Sequence, residues 1–540
     1  MTWPALLPIR FSSRLRAAVA QVVDYTRQPL LLAACFSLVA GSPAFAQLPA
    51  REWGFFEYTK EFATGLSNAR LGRVTGLVWT TFEPTPGSGQ YDWRRHDSAI
   101  KKAQANGMNP IFEIKTGNGS AFSDPGCFQR VEAATPTGAF PMGRALASCP
   151  LKPEMESAWS RMVTELVERY DGDGTRDMPG LLGNIRLDIE VENESANPEF
   201  WDYGTDRTLA ADHYLRLLEI SYQAKQVANP QTRVILTGLY QPNVIALCDA
   251  ICDANPTHQA CTPFNLGNVA FTKPILARPD IFDAVDIHFF AYYHFEPSFV
   301  DDGYQWVADQ MLQGGYQRPI YSLEWTGSNM MPIRFEGYAD EFRAYFPYSA
   351  DFPTNAAFQA MYVGLDQPQN VTYRKWFESE EAKEYGKLFA NMLALGVSRL
   401  VHVQYADYRA GAVWNNVWWN WHGVIKYVDG VAIRKPSYYT SNTLSQRIFG
   451  FTSARRIAIA GSEVRLYEFT FPTGEPTYVA WTDGADTVLD LSSVTTRTVL
   501  RVTHLVTELD GANAPIVTPD EFVFVTTVPV GDVPVLLKGI

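Results

Sequence analysis

Apolar and polar positions along the chain alternate between two periodicities. Short runs with strand-like character fall at 52–58, 72–79, 110–115, 185–192, 233–237, 284–290, 320–325 and 400–405. Between several of them the period becomes that of an amphipathic helix. Met155, Trp159, Met162, Val163, Leu166 and Val167 recur at helical spacing over 154–170, with Pro153 near the start. Similar patterns predict helices over 97–106, ending at Gly107, over 208–227, and over 380–395, ending at Gly396. Strands and helices alternating eight times over about 390 residues predict an α/β fold, a (β/α)8 TIM barrel, rather than an open sheet. After Pro436 the helical period disappears, and β-rich runs follow at 477–481, 497–505, 522–527 and 533–537. They predict an appended C-terminal antiparallel β-sandwich.

The first residues belong to neither unit. Arg10, Arg14, Arg16 and Arg27 precede an apolar run from Leu30 to Ala40, and Ala44-Phe45-Ala46 supplies small residues before Gln47. This is the pattern of a secretory signal peptide cleaved after Ala46. The expected division is therefore 1–46 signal, 47–440 barrel and 441–540 sandwich. The apolar run is shorter than the roughly 20 residues of a membrane span, and a lipoprotein reading at Cys35 is weaker because the run continues past it. Secretion or periplasmic export is the expectation. Of the remaining cysteines, Cys127–Cys149 and one pair among Cys248, Cys252 and Cys261 are candidate disulfides, leaving one thiol. Their spacing does not match a zinc site.

Composition narrows the partners. The formal net charge of the 540 residues is −13, and loss of 1–46, with four Arg and one Asp, takes it to −16. Binding to nucleic acid or an anionic membrane requires clustered Lys and Arg, which this chain lacks. Serine-hydrolase, Walker A, dinucleotide and zinc-protease motifs are absent too.

The chemistry gathers at the ends of the predicted fourth and seventh strands. In the fourth, Leu187, Ile189 and Val191 share the face towards the helices, while Asp188, Glu190 and Glu192 share the face into the barrel. Acids there need partners, for which Arg186, Lys115 and His402 are candidates. A metal site of Asp188, Glu190 and Glu192 is disfavoured because, on one strand, they rise along the barrel instead of converging. Glu194 ends this strand and Glu324 the seventh, at the barrel end where active sites lie. Two such carboxylates face each other across a sugar. About 5–5.5 Å apart, they suit a double displacement in which one attacks the anomeric carbon and the other moves protons. No metal or organic cofactor is needed.

With Asn193-Glu194 and Glu324 in these places, the chain resembles the retaining glycoside hydrolases of clan A, and most of all family 39, which includes β-xylosidases and α-L-iduronidases. Further matching stretches are Val78–Pro84, Gly89–Trp93, Phe200-Trp201, Asp286-Ile287-His288 and Lys435–Tyr439. The resemblance covers roughly residues 50–440, and the following β-sandwich is also usual there. It implies Glu194 as acid/base, Glu324 as nucleophile, and Asn193 at the sugar 2-hydroxyl. Ser195 departs from the usual Asn-Glu-Pro, and the long aromatic segment 326–379 is expected to be a lid or an extra substrate wall.

Each supporting residue has a plainer alternative. His288 either packs inside the barrel or hydrogen-bonds Glu324 or a sugar hydroxyl. Glu192 competes as the acid/base but lies one layer deeper. Trp79, Trp325, Trp418 and Trp419 either pack or stack on a pyranose. The expected partner is a carbohydrate, neutral rather than acidic given the chain's charge. The rival reading is a secreted carbohydrate-binding barrel without activity.

Overall fold

The computed structural model describes residues 51–56, 66, 68–133, 148–183, 187–197, 200–201, 207–240, 242–258, 261, 263–292, 299–329, 371–407, 421–459, 461–472, 474–524 and 527–539. The expected signal segment, Arg186, Trp418, Trp419 and residues 330–370 lie outside them.

Eight parallel strands close into a barrel in sequence order: β1 Glu52–Phe56, β2 Ala69–Val78, β3 Asn109–Lys115, β4 Asp188–Val191, β5 Arg233–Tyr240, β6 Ala284–Tyr292, β7 Ile320–Asn329 and β8 Arg399–His402. The ring shuts where Glu52–Phe55 of β1 pair with Arg399–His402 of β8. Leu187, Ile189 and Val191 face the helices and join the main core, as the alternation predicts. The helix Glu156–Tyr170 buries Trp159, Met162, Val163, Leu166 and Val167. Trp159 also donates its indole N–H to Ser221 of the next helix, Arg207–Ala228 (2.9 Å).

Three barrel helices, Pro242–Ile251, Pro263–Leu276 and Phe299–Gln313, escape the periodicity. The second carries Pro274 in its interior, and the third carries Gly303, so local propensity understates them. The helical period does not end at Pro436, as expected: Pro436–Ile448 is a helix that runs across residue 440. Its sequence is rich in Ser, Thr and Tyr, which blurs the apolar stripe. Pro at its first turn starts it, and small hydroxyl residues Ser437, Thr440, Ser441 and Ser445 fill the buried face.

A hairpin, β9 Ile425–Val428 and β10 Val431–Arg434, precedes that helix. Beyond it come β11 Ser453–Ile457, β12 Arg465–Thr470, β13 Thr477–Trp481, β14 Thr487–Asp490, β15 Leu500–His504, β16 Glu521–Val523, β17 Thr527–Val530 and β18 Val535–Gly539. They form an antiparallel six-stranded sheet in the order β11-β12-β13-β18-β15-β16, and a β14-β17 ribbon. One face of the sheet packs with the ribbon through Leu466, Tyr478, Leu537, Leu489 and Val528. The other, with Tyr467, Phe469, Val479, Trp481 and Leu536, belongs to the same apolar core as the barrel helices.

Cys127–Cys149 and Cys252–Cys261 are disulfides, and Cys248 is a buried free thiol. Among the described residues no helix is long and apolar enough to cross a membrane.

Candidate active site

Inside the barrel, side chains stack in layers. The lowest is apolar: Leu71, Ile111, Ile235, Ala284, Tyr321, Leu323 and Val401 plug the interior. One step further along the strands the inward positions turn charged, with Arg73 on β2, Glu113 on β3, Glu190 on β4 and Asp286 on β6, all buried. Above them, at the C-terminal ends, lie Glu194, His288 and Glu324.

Strict alternation would send Glu324 outwards, because Leu323 already points in. A bulge resolves this: between Asp286↔Tyr321 and His288↔Glu324, β7 spends one residue more than β6. Asp286 accepts the backbone N–H of Leu323 within that bulge (2.7 Å). Glu194 reaches the same space from the turn after β4, where it has a left-handed backbone with φ 44°. Donor oxygens of Glu194 and Glu324 and a ring nitrogen of His288 all lie within 4.8 Å of one another.

His288 connects the carboxylates. Its Nδ1 is 2.7 Å from Glu194 Oε1 and 3.5 Å from Glu324 Oε2, and its Nε2 is 2.8 Å from Asp286 Oδ2. Burial works against the imidazolium, but the charges of Glu324 and Asp286 and the bonds to Asp286 and Glu194 outweigh it. The ring is held well above its ordinary pKa and donates from both nitrogens. Gly238 of β5 makes room for it: a Cβ there would lie 2.1 Å from His288 Nε2.

Arg73, fully buried, is the other hub. Its Nη1 donates to Glu324 Oε1 (2.5 Å), its Nε to Glu190 Oε2 (2.7 Å), and its Nη2 to Asn193 Oδ1 (3.2 Å) and to Glu113 (3.0 Å). Burial pushes Glu324 up, and Glu194 and Glu113 add to this, while His288 and Arg73 oppose it; the balance is a raised pKa. Glu190 is pushed well above the usual range, again by burial against Arg73. Glu194–His288–Glu324 and Glu190–Asp286–His288 have donor spacings that suit a metal ion. Arg73 and the imidazolium already place positive charge within both groups.

The structure therefore brings Asn193, Glu194, His288 and Glu324 together and leaves other expected residues elsewhere. Trp79 and Trp325, expected on the sugar-facing rim, have fully buried rings. Trp79 packs against Phe122 and Trp159 and donates to Glu83 (2.8 Å). Trp325 packs against Tyr385, Phe389 and His402. The physical reasons differ: Trp79 lies past the end of β2, in the short helix Trp79–Phe82, and the bulge that turns Glu324 inwards turns Trp325 out towards the helices. The expected partners of the β4 acids also change, since Asp188 pairs with Arg399 and Glu190 with Arg73. Lys115 pairs with Glu113 (2.8 Å), and His402 is packed among aromatics with its pKa lowered to about 3 by burial. Glu192 lies behind the site, accepting the N–H (2.7 Å) and hydroxyl (2.9 Å) of Thr116. Sequence reasoning missed Arg73; its signal was an arginine two residues after inward Leu71 in an apolar strand.

No family model matches the sequence, and no curated protein sequence matches it. Among solved structures the chain is similar to a family 39 glycoside hydrolase from the gut symbiont Bacteroides cellulosilyticus, at 14% identity and a TM-score of 0.53, over 91% of this chain and 81% of that one. It is also similar to a family 39 enzyme from Xanthomonas axonopodis pv. citri (14%, 0.48, 91% and 95%) and a monomeric β-xylosidase from Caulobacter crescentus (15%, 0.45, 87% and 89%). The first likeness shows the fold: a closed (β/α)8 barrel followed by antiparallel sheets, shared with that family 39 enzyme.

Proposed function

We propose that the protein is an exported retaining glycosidase, hydrolysing O-glycosidic bonds of a neutral oligo- or polysaccharide in the manner of a β-xylosidase or exopolysaccharide hydrolase. The observation that carries this reading is the approach of Glu194 and Glu324 oxygens to within 4.8 Å at the ends of β4 and β7. One oxygen of each carboxylate therefore comes nearer to the other than the about 6.5–9.5 Å at which inverting enzymes hold their carboxyl groups, which favours retention.

In this reading Glu324 attacks the anomeric carbon with Oε2, the oxygen that Arg73 does not hold. Glu194 protonates the departing oxygen, then takes a proton from the water that opens the glycosyl ester. His288 and Arg73 orient the two carboxylates, so both meet the sugar in a fixed geometry. Asn193, with its carbonyl oxygen turned to Arg73, directs its amide N–H at the sugar 2-hydroxyl. Trp418 and Trp419 remain candidates for stacking on the sugar.

A panel of chromogenic glycosides and polysaccharides tests this with wild type and Glu324→Ala. Cleavage of at least one substrate by wild type and its loss in the variant are expected. A wild type that cleaves none, or a variant that retains full activity, sinks the proposal.

A further inference from the structure

The turn that carries Glu194 is built against the preferences of its own residues. Glu192 and Glu194 have left-handed backbones, with φ of 65° and 44°. Glutamate rarely adopts this conformation, and it persists only where the surroundings impose it. On one side, Glu192 is tied to Thr116 beyond β3, as described above. The other side is more elaborate. Ser195 donates both its backbone N–H (3.1 Å) and its hydroxyl (3.1 Å) to Thr237 Oγ1. The Thr237 N–H donates to the Tyr214 hydroxyl (2.9 Å), which donates to the carbonyl of Val191 (3.0 Å).

The hydrogen bonds thus run from Val191, the last residue of β4, through Tyr214 and Thr237 to Ser195, and straddle Glu192–Glu194. All four residues are buried. The backbone N–H of Thr237 is open to this use because β5 slips register between Leu236 and Leu239. Proline in place of Ser195 would have neither an N–H nor a hydroxyl to donate.

We propose that Thr237, acting through Ser195 and Tyr214, is the positioning residue that holds Glu194 against His288. Its catalytic meaning rests on the reading of Glu194 as acid/base. Its structural readout does not.

The test observes the His288 Nδ1 proton by NMR of histidine-labelled protein, a tractable spectrum with 8 His in the chain, assigned through His288→Gln. In Thr237→Val the resonance shifts or is lost, and Thr237→Ser restores it. Ser195→Pro, lacking both donors, perturbs it more than Ser195→Ala, and this pair carries the test if Thr237→Val does not fold. On any glycoside that the panel shows to be cleaved, Thr237→Val lowers kcat roughly ten- to hundred-fold while KM stays within about two-fold. Folded Thr237→Val with an unchanged His288 resonance overturns the proposal, as does Ser195→Pro indistinguishable from wild type. A shifted resonance in a protein that cleaves no glycoside overturns the glycosidase reading and leaves the positioning role standing.

Discussion

The space that a side chain at Gly238 would fill is occupied by the imidazole of His288. Gly238→Ala is expected to displace the ring and lower kcat at least ten-fold with little change in substrate affinity, since the displaced ring loses Glu194. A crystal structure and steady-state kinetics check both parts. Arg73 offers a different prediction. Arg73→Met would leave Glu190, Glu113 and Glu324 without their shared cation, and removal of one partner from a buried ion pair costs about 3–5 kcal/mol. Urea unfolding should show that loss, and Arg73→Lys should not restore it, because one ammonium cannot span three carboxylates and an amide. At this scale Glu194 and Glu324 were legible because each closes a predicted strand run, although the structure places Glu194 in the turn after β4 and Glu324 at the bulge within β7. Arg73 was not, since strand alternation identifies an inward position without naming the residues opposite it. The burial of Trp79 and Trp325 was hidden for the same reason: aromatic character alone does not separate a stacking platform from core.

At the scale of elements, bulges decide where the chemistry lies. Without the extra residue in β7, Leu323 and Glu324 could not both face inwards. The sequence pattern contains no sign of a bulge, so it placed the strand and left the geometry of its end open. The long helix Val371–Leu395 shows a second kind of coupling. Lys387 reaches Asp532 (2.5 Å) and Asp483 (3.1 Å) of the sheet domain, and Lys383 also reaches Asp532 (3.1 Å). Lys387→Met should destabilise the protein by about 3 kcal/mol, read by urea unfolding. Asp532→Asn should cost less in that variant than in wild type, because only the Lys383 contact is then left to lose. The alternation of strands and helices was legible because barrel elements repeat one hydrophobic unit. The helix Pro436–Ile448 was not, because its buried face is made of hydroxyl side chains instead of an apolar stripe.

At the scale of the whole molecule, barrel and sheet share one apolar core. A chain truncated after Gly450 would uncover the faces that meet Tyr467, Phe469, Trp481 and Leu536, and is expected to lose its cooperative thermal transition; scanning calorimetry checks this. Two buried carboxyls set a pH dependence. Burial raises Glu192 to about 7 and Glu381 to about 8, from 4.5. A raised carboxyl binds its proton more tightly in the folded state, so its contribution is full below about 4.5 and is lost as pH rises through the folded value. Buried His96 and His402, lowered to about 4 and about 3, add stability as pH rises to about 6.5, so the fall in Tm should show between about pH 6.5 and 8, and Glu192→Gln or Glu381→Gln should flatten it. The proposed double displacement requires a covalent bond to one residue. Wild-type protein is to be incubated with 2-deoxy-2-fluoroglycosides of several neutral sugars, and the peptides then analysed by mass spectrometry. One sugar is predicted to remain as an ester on Glu324; a label on Glu194 or Glu192, or on no residue with any sugar, would contradict the account.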